Sequence, residues 1–139
     1  MLFRSGIVGI INNIDEENIS EELVKSLTYL QHRGQDSAGI AIVKNDGRID
    51  IHKNLGLVSQ IFSKKIDISG KLGIGHVRYS TQGTINIDEA QPFYTNSPYG
   101  MVLAHNGNLT NTTKLKQYLL DNKRHINTDS DSEILLNII

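Results

Sequence analysis

The stretch 38–53 constrains the fold most, because its pattern is typical of a β-hairpin. Residues 38–43 form an apolar run, and residues 48–52 alternate between polar and apolar side chains. Between these two runs lies Asp46-Gly47, and Asp-Gly is a strong signal for a tight turn between antiparallel strands. The chain is therefore predicted to contain an antiparallel sheet.

Helices and further strands are predicted on both sides of this hairpin. Leu23, Leu27 and Leu30 recur at helical spacing. Glu21 and Glu22 suit the first turn of that helix, where the helix dipole favours negative charge. This helix is predicted to have its N-cap at Ser20 and to end near 31–34. The other predicted strands are a buried strand over 7–11, a strand over 71–77 interrupted by Gly73 and Gly75, and a strand over 101–104. A loop or short helix is predicted over 55–62, a loop over most of 79–98, a helix capped by Thr110 or Asn111, and a helix over 134–139 opened by a Ser130-x-x-Glu133 capping box.

The composition is that of an ordinary globular protein. The 139 residues make up one domain with a moderate core, and 38% of them are hydrophobic and 21% charged. The 14 basic and 15 acidic residues give a net charge of -1, which provides no attraction to nucleic acid or to an acidic membrane. We therefore predict neither a nucleic-acid partner nor a membrane partner.

The chain has no cysteine, which excludes disulfides, thiolate metal sites and a cysteine nucleophile. Its five histidines lack metal-ligand spacing, so no metal site is predicted. Its apolar runs, of about five residues, are far shorter than the roughly 20 residues that span a bilayer. Residues 1–4 contain no apolar segment of signal-peptide length, and we expect a cytoplasmic protein.

Residues 73–83 are typical of a strand that runs into a glycine-rich loop. The loop lacks the Gly-Lys-Ser/Thr ending of a phosphate-binding loop. Arg78 lies at the predicted strand end, where a guanidinium can bind a carboxylate through two parallel hydrogen bonds. The Thr81 hydroxyl can add a further donor. A plain strand and loop, and a carboxylate-binding site, are both compatible with this stretch.

Two other segments allow both a structural and a chemical interpretation. Asn106-Gly107 after a strand is typical of a turn. An Asn amide and the following Gly N–H also form a pair of donors that can stabilise an oxyanion during acyl transfer. Asp131 suits the first turn of a helix, and its carboxylate can equally bind a substrate ammonium group.

The order of these motifs resembles that in the glutaminase domain of the class II glutamine amidotransferases, over essentially all of residues 5–139. The amino-acid sequences of segments 31–35, 89–93 and 106–111 favour the amidophosphoribosyltransferase branch over the glucosamine-phosphate and asparagine synthetases. The segments that carry the resemblance are Gly6-Ile7-Val8-Gly9-Ile10, Leu30-Gln31-His32-Arg33-Gly34-Gln35-Asp36-Ser37-Ala38-Gly39, Gly75-His76-Val77-Arg78-Tyr79-Ser80-Thr81, Glu89-Ala90-Gln91-Pro92-Phe93, His105-Asn106-Gly107-Asn108-Leu109-Thr110-Asn111 and Ser130-Asp131-Ser132-Glu133.

The resemblance implies an α+β fold, the N-terminal-nucleophile (Ntn) hydrolase sandwich, in which two antiparallel sheets lie between layers of helices in the order αββα. Residues 5–139 would form part of this four-layer sandwich, as a class II glutamine amidotransferase domain truncated at its C-terminal end. The implied site residues are Ser5 at the nucleophile position, Asn106 and Gly107 in the oxyanion hole, Arg78 at the glutamine carboxylate, Asp131 at its amino group, and Arg33 and Thr81 in support of the pocket.

In the family that this chain resembles, the glutaminase domain releases ammonia from glutamine and passes it to a C-terminal phosphoribosyltransferase domain. That domain, with Mg²⁺, displaces pyrophosphate from phosphoribosyl pyrophosphate and forms 5-phosphoribosylamine in de novo purine biosynthesis. The resemblance therefore implies glutamine and phosphoribosyl pyrophosphate as substrates, a homo-oligomer, and Mg²⁺ in the other domain. It implies no cofactor for this segment.

The nucleophile position departs from the family pattern, in which a terminal cysteine uses its own α-amino group as base. Here Ser5 follows residues 1–4, which we interpret as a leader or propeptide-like extension. A serine hydroxyl is far less acidic than a thiol, whose pKa is about 8.5, so it depends on a nearby base. A peptide-bonded nitrogen cannot be that base. Glutaminase activity of the chain as given is therefore predicted to be impaired.

Two alternatives follow from this departure. Beside an impaired glutaminase half, the chain could be a non-catalytic glutamine-binding or regulatory module, or an inactive fragment. Glutamine binding without hydrolysis would identify the module, whereas a fragment would neither bind nor hydrolyse glutamine.

Overall fold

The computed structural model describes residues 5–13, 18–80 and 86–139, so the extension 1–4 and Thr81 lie outside the described residues. Within the described ranges, six strands form two antiparallel sheets, and four α-helices pack around them. None of these helices has the length and apolar character to cross a membrane. The elements are β1 (Gly6–Ile11), α1 (Ile19–Leu30), a 3₁₀ turn (Gln31–Arg33), β2 (Ser37–Val43), β3 (Ile49–Leu55), α2 (Val58–Ile61), β4 (Leu72–Arg78), a 3₁₀ turn (Ile87–Glu89), β5 (Phe93–Thr95), β6 (Met101–Leu103), α3 (Thr112–Asp121) and α4 (Asp131–Ile138).

The larger sheet has the strand order β1-β4-β2-β3 and is antiparallel throughout. The hairpin of β2 and β3 confirms the sequence prediction, with Gly47 at φ 82° in its turn. Strand β4 lies between β1 and β2, so Val77 pairs with Gly6 on one side and with Ala38 on the other. The start of β1 therefore meets the end of β4. The smaller sheet pairs β5 with β6.

Helix α1 covers one face of the larger sheet with three fully buried side chains, Ile19, Leu23 and Leu27. They pack over Gly73 and Gly75 of β4, where a Cβ on residue 73 would lie 2.6 Å from Leu23 Cδ1. Burial of each such side chain contributes roughly 1.5–3 kcal/mol. The two glycines thus let the helix approach a continuous strand. The prediction that they interrupt the strand is wrong.

The chain that follows β4 covers the opposite face of the sheet at β2 and β4. The carbonyl oxygen of Gln91 lies against Gly39, and the Asn106 side chain reaches His76. Helix α4 packs on β5 and β6, and α3 packs on α4. The architecture is therefore α+β, with antiparallel sheets flanked by helices, as predicted.

Strand β1 is buried on one side only. Val8 and Ile10 pack against the core beneath α1, whereas Ile7 and Ile11 are 41% and 84% exposed. The prediction of a buried strand is therefore wrong for one face of β1, because nothing among the described residues covers that face at these two positions.

Helix α1 begins two residues earlier than its predicted cap implies. Asn18, not Ser20, is the N-cap, and its side chain accepts from Glu21 N at 3.3 Å. The buried Ser20 hydroxyl instead donates to Ile66 O at 2.7 Å and accepts from Ile68 N at 3.2 Å. The Ser20 hydroxyl thus bonds to backbone groups of a distant loop and does not cap the helix.

Helix α4 begins at Asp131 rather than at 134. Ser130 caps it as predicted, because its hydroxyl accepts from Ser132 N at 3.3 Å. Instead of completing a capping box, the buried Glu133 carboxylate accepts from the backbone N–H groups of Asn127 and Thr128, at 2.9 and 2.7 Å. Glu133 thereby ties the preceding loop to the helix.

The contact between Gly39 and Gln91 yields a stability prediction. A Cβ on residue 39 would overlap the Gln91 carbonyl oxygen, whereas a Cβ on Gly9 would meet nothing within 4 Å. Gly39→Ala is therefore expected to lower the free energy of unfolding by about 1–3 kcal/mol, and Gly9→Ala by less than about 0.5 kcal/mol. Urea denaturation measures both. Equal effects of the two substitutions would contradict the packing described.

Candidate active site

Ser5 lies at the end of the larger sheet, where β1 begins. The next residue, Gly6, pairs with Val77, so Ser5 stands beside the end of β4. The backbone N–H of Tyr79 donates to Ser5 Oγ at 3.1 Å. The hydroxyl at the predicted nucleophile position is therefore held where two strands meet.

Two further predicted site residues converge on the Ser5 carbonyl oxygen. Asn106 Nδ2 donates to it at 2.9 Å, and Arg33 Nε donates to it at 3.0 Å. Arg33 belongs to the 3₁₀ turn after α1, and Asn106 follows β6. The fold thus brings together three predicted residues from distant parts of the sequence.

His76 stands behind Asn106 on the central strand β4. Its Nε2 lies 2.9 Å from Asn106 Oδ1, and its side chain is 1% exposed. Among the described residues, its Nδ1 has no hydrogen-bond partner. Burial lowers the pKa of His76 to about 4, with a smaller contribution from the positive charge of Arg78. The imidazole is therefore neutral at physiological pH.

The side chain of His105 leaves room only for glycine at position 107. The His105 ring occupies the space that a Cβ on residue 107 would take, with the Nε2 atom as the nearest neighbour. Any side chain at this position would push the His105 ring away. The role of the Gly107 N–H in an oxyanion hole stays a prediction.

Asp131 joins this loop to the start of α4. One carboxylate oxygen accepts from Leu109 N at 2.8 Å, and the other accepts from the Ser132 hydroxyl at 3.2 Å. A carboxylate has about four acceptor positions, so these two bonds leave capacity for a substrate ammonium group. That binding role stays a prediction.

Gln91, to which sequence reasoning assigned no role, organises the same loop from within. Its side chain is buried, and its Oε1 accepts from His105 N at 2.7 Å. Its Nε2 donates to His105 O and to Ser132 Oγ, both at 3.3 Å. The signal that could have identified it is a polar amide between alanine and proline in the segment 89–93.

Arg78 has a partner that sequence reasoning did not identify. Its terminal nitrogen Nη2 contacts Glu89 Oε2 at 2.5 Å, and the two side chains are 18% and 26% exposed. A guanidinium carries five N–H donors, so this ion pair does not use all of them. The pair orients Arg78 at the strand end beside Ser5. Its binding of a substrate carboxylate stays a prediction.

No metal centre emerges in the described ranges 5–13, 18–80 and 86–139. They contain no group of three or more His, Cys, Asp or Glu side chains arranged to hold a metal ion. Glu89 and Asp131 instead accept from guanidinium, amide and hydroxyl donors.

The family of the chain follows from comparison with known proteins. A family model described as the glutamine amidotransferase domain matches residues 62–139, more than half of the chain. The chain belongs to this family. The matched residues include the end of β4 with Arg78, the Asn106 loop and Asp131.

The relatives of this amidotransferase domain include three similar amidophosphoribosyltransferases. Those of Pasteurella multocida, Escherichia coli and Saccharomyces cerevisiae are 50%, 52% and 51% identical to it over 137, 136 and 136 residues. Each alignment covers 96% of this chain but only 26–27% of the relative. The chain therefore spans about a quarter of the length of the relatives that it matches.

Solved structures identify the fold of the amidotransferase domain. The allosteric regulatory enzyme of purine biosynthesis superposes on it with a TM-score of 0.80 at 36% identity, over 94% of this chain and 28% of that one. Glutamine phosphoribosylpyrophosphate amidotransferase from B. subtilis, complexed with ADP and GMP, gives 0.73 at 35% identity, over 96% and 28%. The Ntn hydrolase sandwich implied by the sequence resemblance is confirmed.

Burial of His76 makes the stability of the amidotransferase domain depend on pH. In the unfolded chain a histidine has a pKa of about 6.5, whereas His76 in the folded chain has a pKa of about 4. Between these values the unfolded state takes up a proton that the folded state does not. As the pH falls from 6.5 to 4, the free energy of unfolding is therefore expected to decrease by about 3 kcal/mol from this group.

Chemical denaturation across this pH range, on the wild type and His76→Gln, measures the effect. In His76→Gln, the free energy of unfolding should lose this part of its pH dependence. His52→Gln, a substitution at an exposed histidine of β3, is the matched control and should retain it. Identical pH dependence in the wild type and His76→Gln would contradict the assignment.

Proposed function

We propose that this chain is the glutaminase half of an amidophosphoribosyltransferase, which binds glutamine and hydrolyses its side-chain amide. The observation that carries the proposal is the contact of Asn106 Nδ2 with the backbone carbonyl of Ser5, at 2.9 Å. It sets an amide donor beside the residue at the nucleophile position. The similarity to amidophosphoribosyltransferases supports the same conclusion.

In the proposed reaction, Ser5 Oγ attacks the amide carbonyl carbon of glutamine while a base removes the hydroxyl proton. The carbonyl oxygen becomes an oxyanion that accepts from Asn106 Nδ2–H and the Gly107 N–H. When the tetrahedral intermediate collapses, the C–N bond breaks and the nitrogen leaves as ammonia after receiving a proton. Water then hydrolyses the γ-glutamyl ester, which gives glutamate and restores the serine.

The same proposal assigns the binding of the amino-acid end of glutamine. Arg78 would bind the α-carboxylate with the guanidinium donors that the ion pair with Glu89 does not use. Asp131 would bind the α-ammonium group, and Arg33 and Thr81 would support the pocket. Opposite charges placed in this way distinguish glutamine from a simple amide.

The base in this scheme is the α-amino group of residue 5, whose pKa of about 8 suits proton transfer near neutral pH. In the sequence this nitrogen is part of a peptide bond with residue 4. Hydrolysis is therefore proposed to require removal of residues 1–4. Even then, a serine would react more slowly than a thiol, because far less of it is ionised.

The activity of the whole protein is part of the proposal, since the chain spans only about a quarter of its relatives. Ammonia would pass to a phosphoribosyltransferase domain that uses Mg²⁺ and phosphoribosyl pyrophosphate to form 5-phosphoribosylamine for purine synthesis. We further propose a cytoplasmic homo-oligomer that binds neither nucleic acid nor membranes.

A second candidate function is a non-catalytic glutamine-binding module. The identity of Ser5 favours it, because the position has neither a thiol nor a free amine in the sequence. Binding and hydrolysis are therefore tested separately.

Restoring the nucleophile and the base together tests the chemistry. Ser5→Cys in a protein without residues 1–4 is expected to release glutamate from glutamine, because the thiol and the free amine are then both present. Ser5→Ala in the same shortened protein is the matched control and should be inactive. No glutamate from a folded Ser5→Cys sample would refute the proposed half-reaction. Intact mass of the unmodified protein shows whether residues 1–4 are removed naturally.

Calorimetry tests the pocket without any turnover. The unmodified chain is expected to bind glutamine, and Arg78→Ala or Asp131→Ala should weaken binding about tenfold or more, because each removes a charge-assisted bond. Arg48→Ala removes an arginine that is likewise ion-paired, but with Asp46 in the hairpin turn, and should leave binding unchanged. Equal losses in all three variants would contradict the assignment.

A further inference from the structure

The side-chain amide of Asn106 acts as an oxyanion donor in only one of its two orientations. With Nδ2 towards Ser5 it presents N–H groups, whereas the flipped amide would present a carbonyl oxygen to an oxygen. The two orientations have nearly the same shape, so packing alone distinguishes them poorly. Hydrogen-bond partners on both sides of the amide must therefore select one.

His76 is the partner on the far side of this amide. Its Nε2 lies 2.9 Å from Asn106 Oδ1, while Asn106 Nδ2 donates to the Ser5 carbonyl oxygen at 2.9 Å. The backbone that carries His76 is paired on both sides, with Ile7 of β1 and with Gly39 of β2. The ring thus projects from an internal strand that is hydrogen-bonded on both of its edges.

The protonation pattern of the ring follows from its contacts. Asn106 Oδ1 can only accept, so Nε2 must carry a hydrogen. Nδ1 is buried and, among the described residues, has no partner. An N–H at that position would be a buried donor without an acceptor, which is rare and costly. The neutral tautomer with hydrogen on Nε2 alone meets both conditions.

We propose that His76 is a positioning residue for amide hydrolysis: its Nε2–H fixes the Asn106 amide with Nδ2 directed at the reaction centre. This inference rests on the proposed function of the site. His76 acts through Asn106 and does not itself touch the substrate. His76 contributes only when the oxyanion forms, so its replacement should lower kcat and leave KM nearly unchanged.

The first test needs no activity. In the unmodified protein labelled with ¹³C and ¹⁵N, NMR is expected to show His76 with a proton on Nε2 and none on Nδ1, and a coupling across the hydrogen bond between His76 Nε2 and Asn106 Cγ. The side-chain amide of Asn106 should give one sharp pair of proton resonances, because exchange between two orientations would broaden or double that pair. A proton on Nδ1, or an Asn106 amide that averages between orientations, would overturn the proposal whether or not the protein hydrolyses glutamine.

The second test measures turnover in the shortened Ser5→Cys protein, with folding verified by thermal denaturation. His76→Leu should lower kcat about 10–100-fold with KM nearly unchanged, since one oxyanion donor is worth about 10²–10³ in rate. His76→Gln, whose amide N–H can occupy the position of Nε2–H, should recover most of that loss.

A double variant that combines His76→Leu with Asn106→Ala tests whether His76 acts through Asn106. His76→Leu should have little further effect once Asn106 is replaced, because the group that it positions is gone. An undiminished loss in the Asn106→Ala background would overturn the proposal. Absence of glutamate release from the parent Ser5→Cys protein would refute the proposed function instead, and the NMR result would still decide the role of His76.

Discussion

The pairing of β4 on both of its edges is the constraint on which the site depends. Hydrogen bonds to β1 and β2 fix the strand in position and orientation. Its glycines admit α1 on one face, and on the other face His76 meets Asn106 and Arg78 meets Glu89. A change in the register of β4 by one residue would exchange these two faces. The same pairing that builds the core therefore also orients the site.

Loops without regular structure complete the site, and buried polar contacts hold them in place. Gln91 binds both backbone groups of His105, and Asp131 binds Leu109 N on the other side of Asn106. Lys53 of β3 donates to Ala90 O at 2.6 Å and thereby holds the loop before β5. Buried polar groups satisfied in this way favour one loop conformation, since alternatives would leave them unpaired. The donors facing Ser5 are thus preorganised by groups that do not reach it.

Features that depend on residues close in sequence were predicted correctly, whereas features that depend on contacts between distant residues were not. The hairpin, α3 and the Ser130 cap are specified by residues close in sequence, and all were predicted. The cap of α1 was misplaced, because Ser20 serves a loop more than forty residues away, at Ile66 and Ile68. Likewise Glu89 and His76 were missed as partners of site residues, since local patterns do not reveal which side chains meet across a fold.

By itself, the sequence determined the hairpin, the α+β class and, through the order of its motifs, the family to which the chain belongs. It also determined that a serine stands at the nucleophile position. Only the tertiary structure decided how Arg33 and Asn106 converge on Ser5, and which way the Asn106 amide points. The reason is physical: motif order reflects local chemistry, whereas an amide orientation depends on hydrogen bonds to residues about 30 and 100 positions away, which exist only after folding.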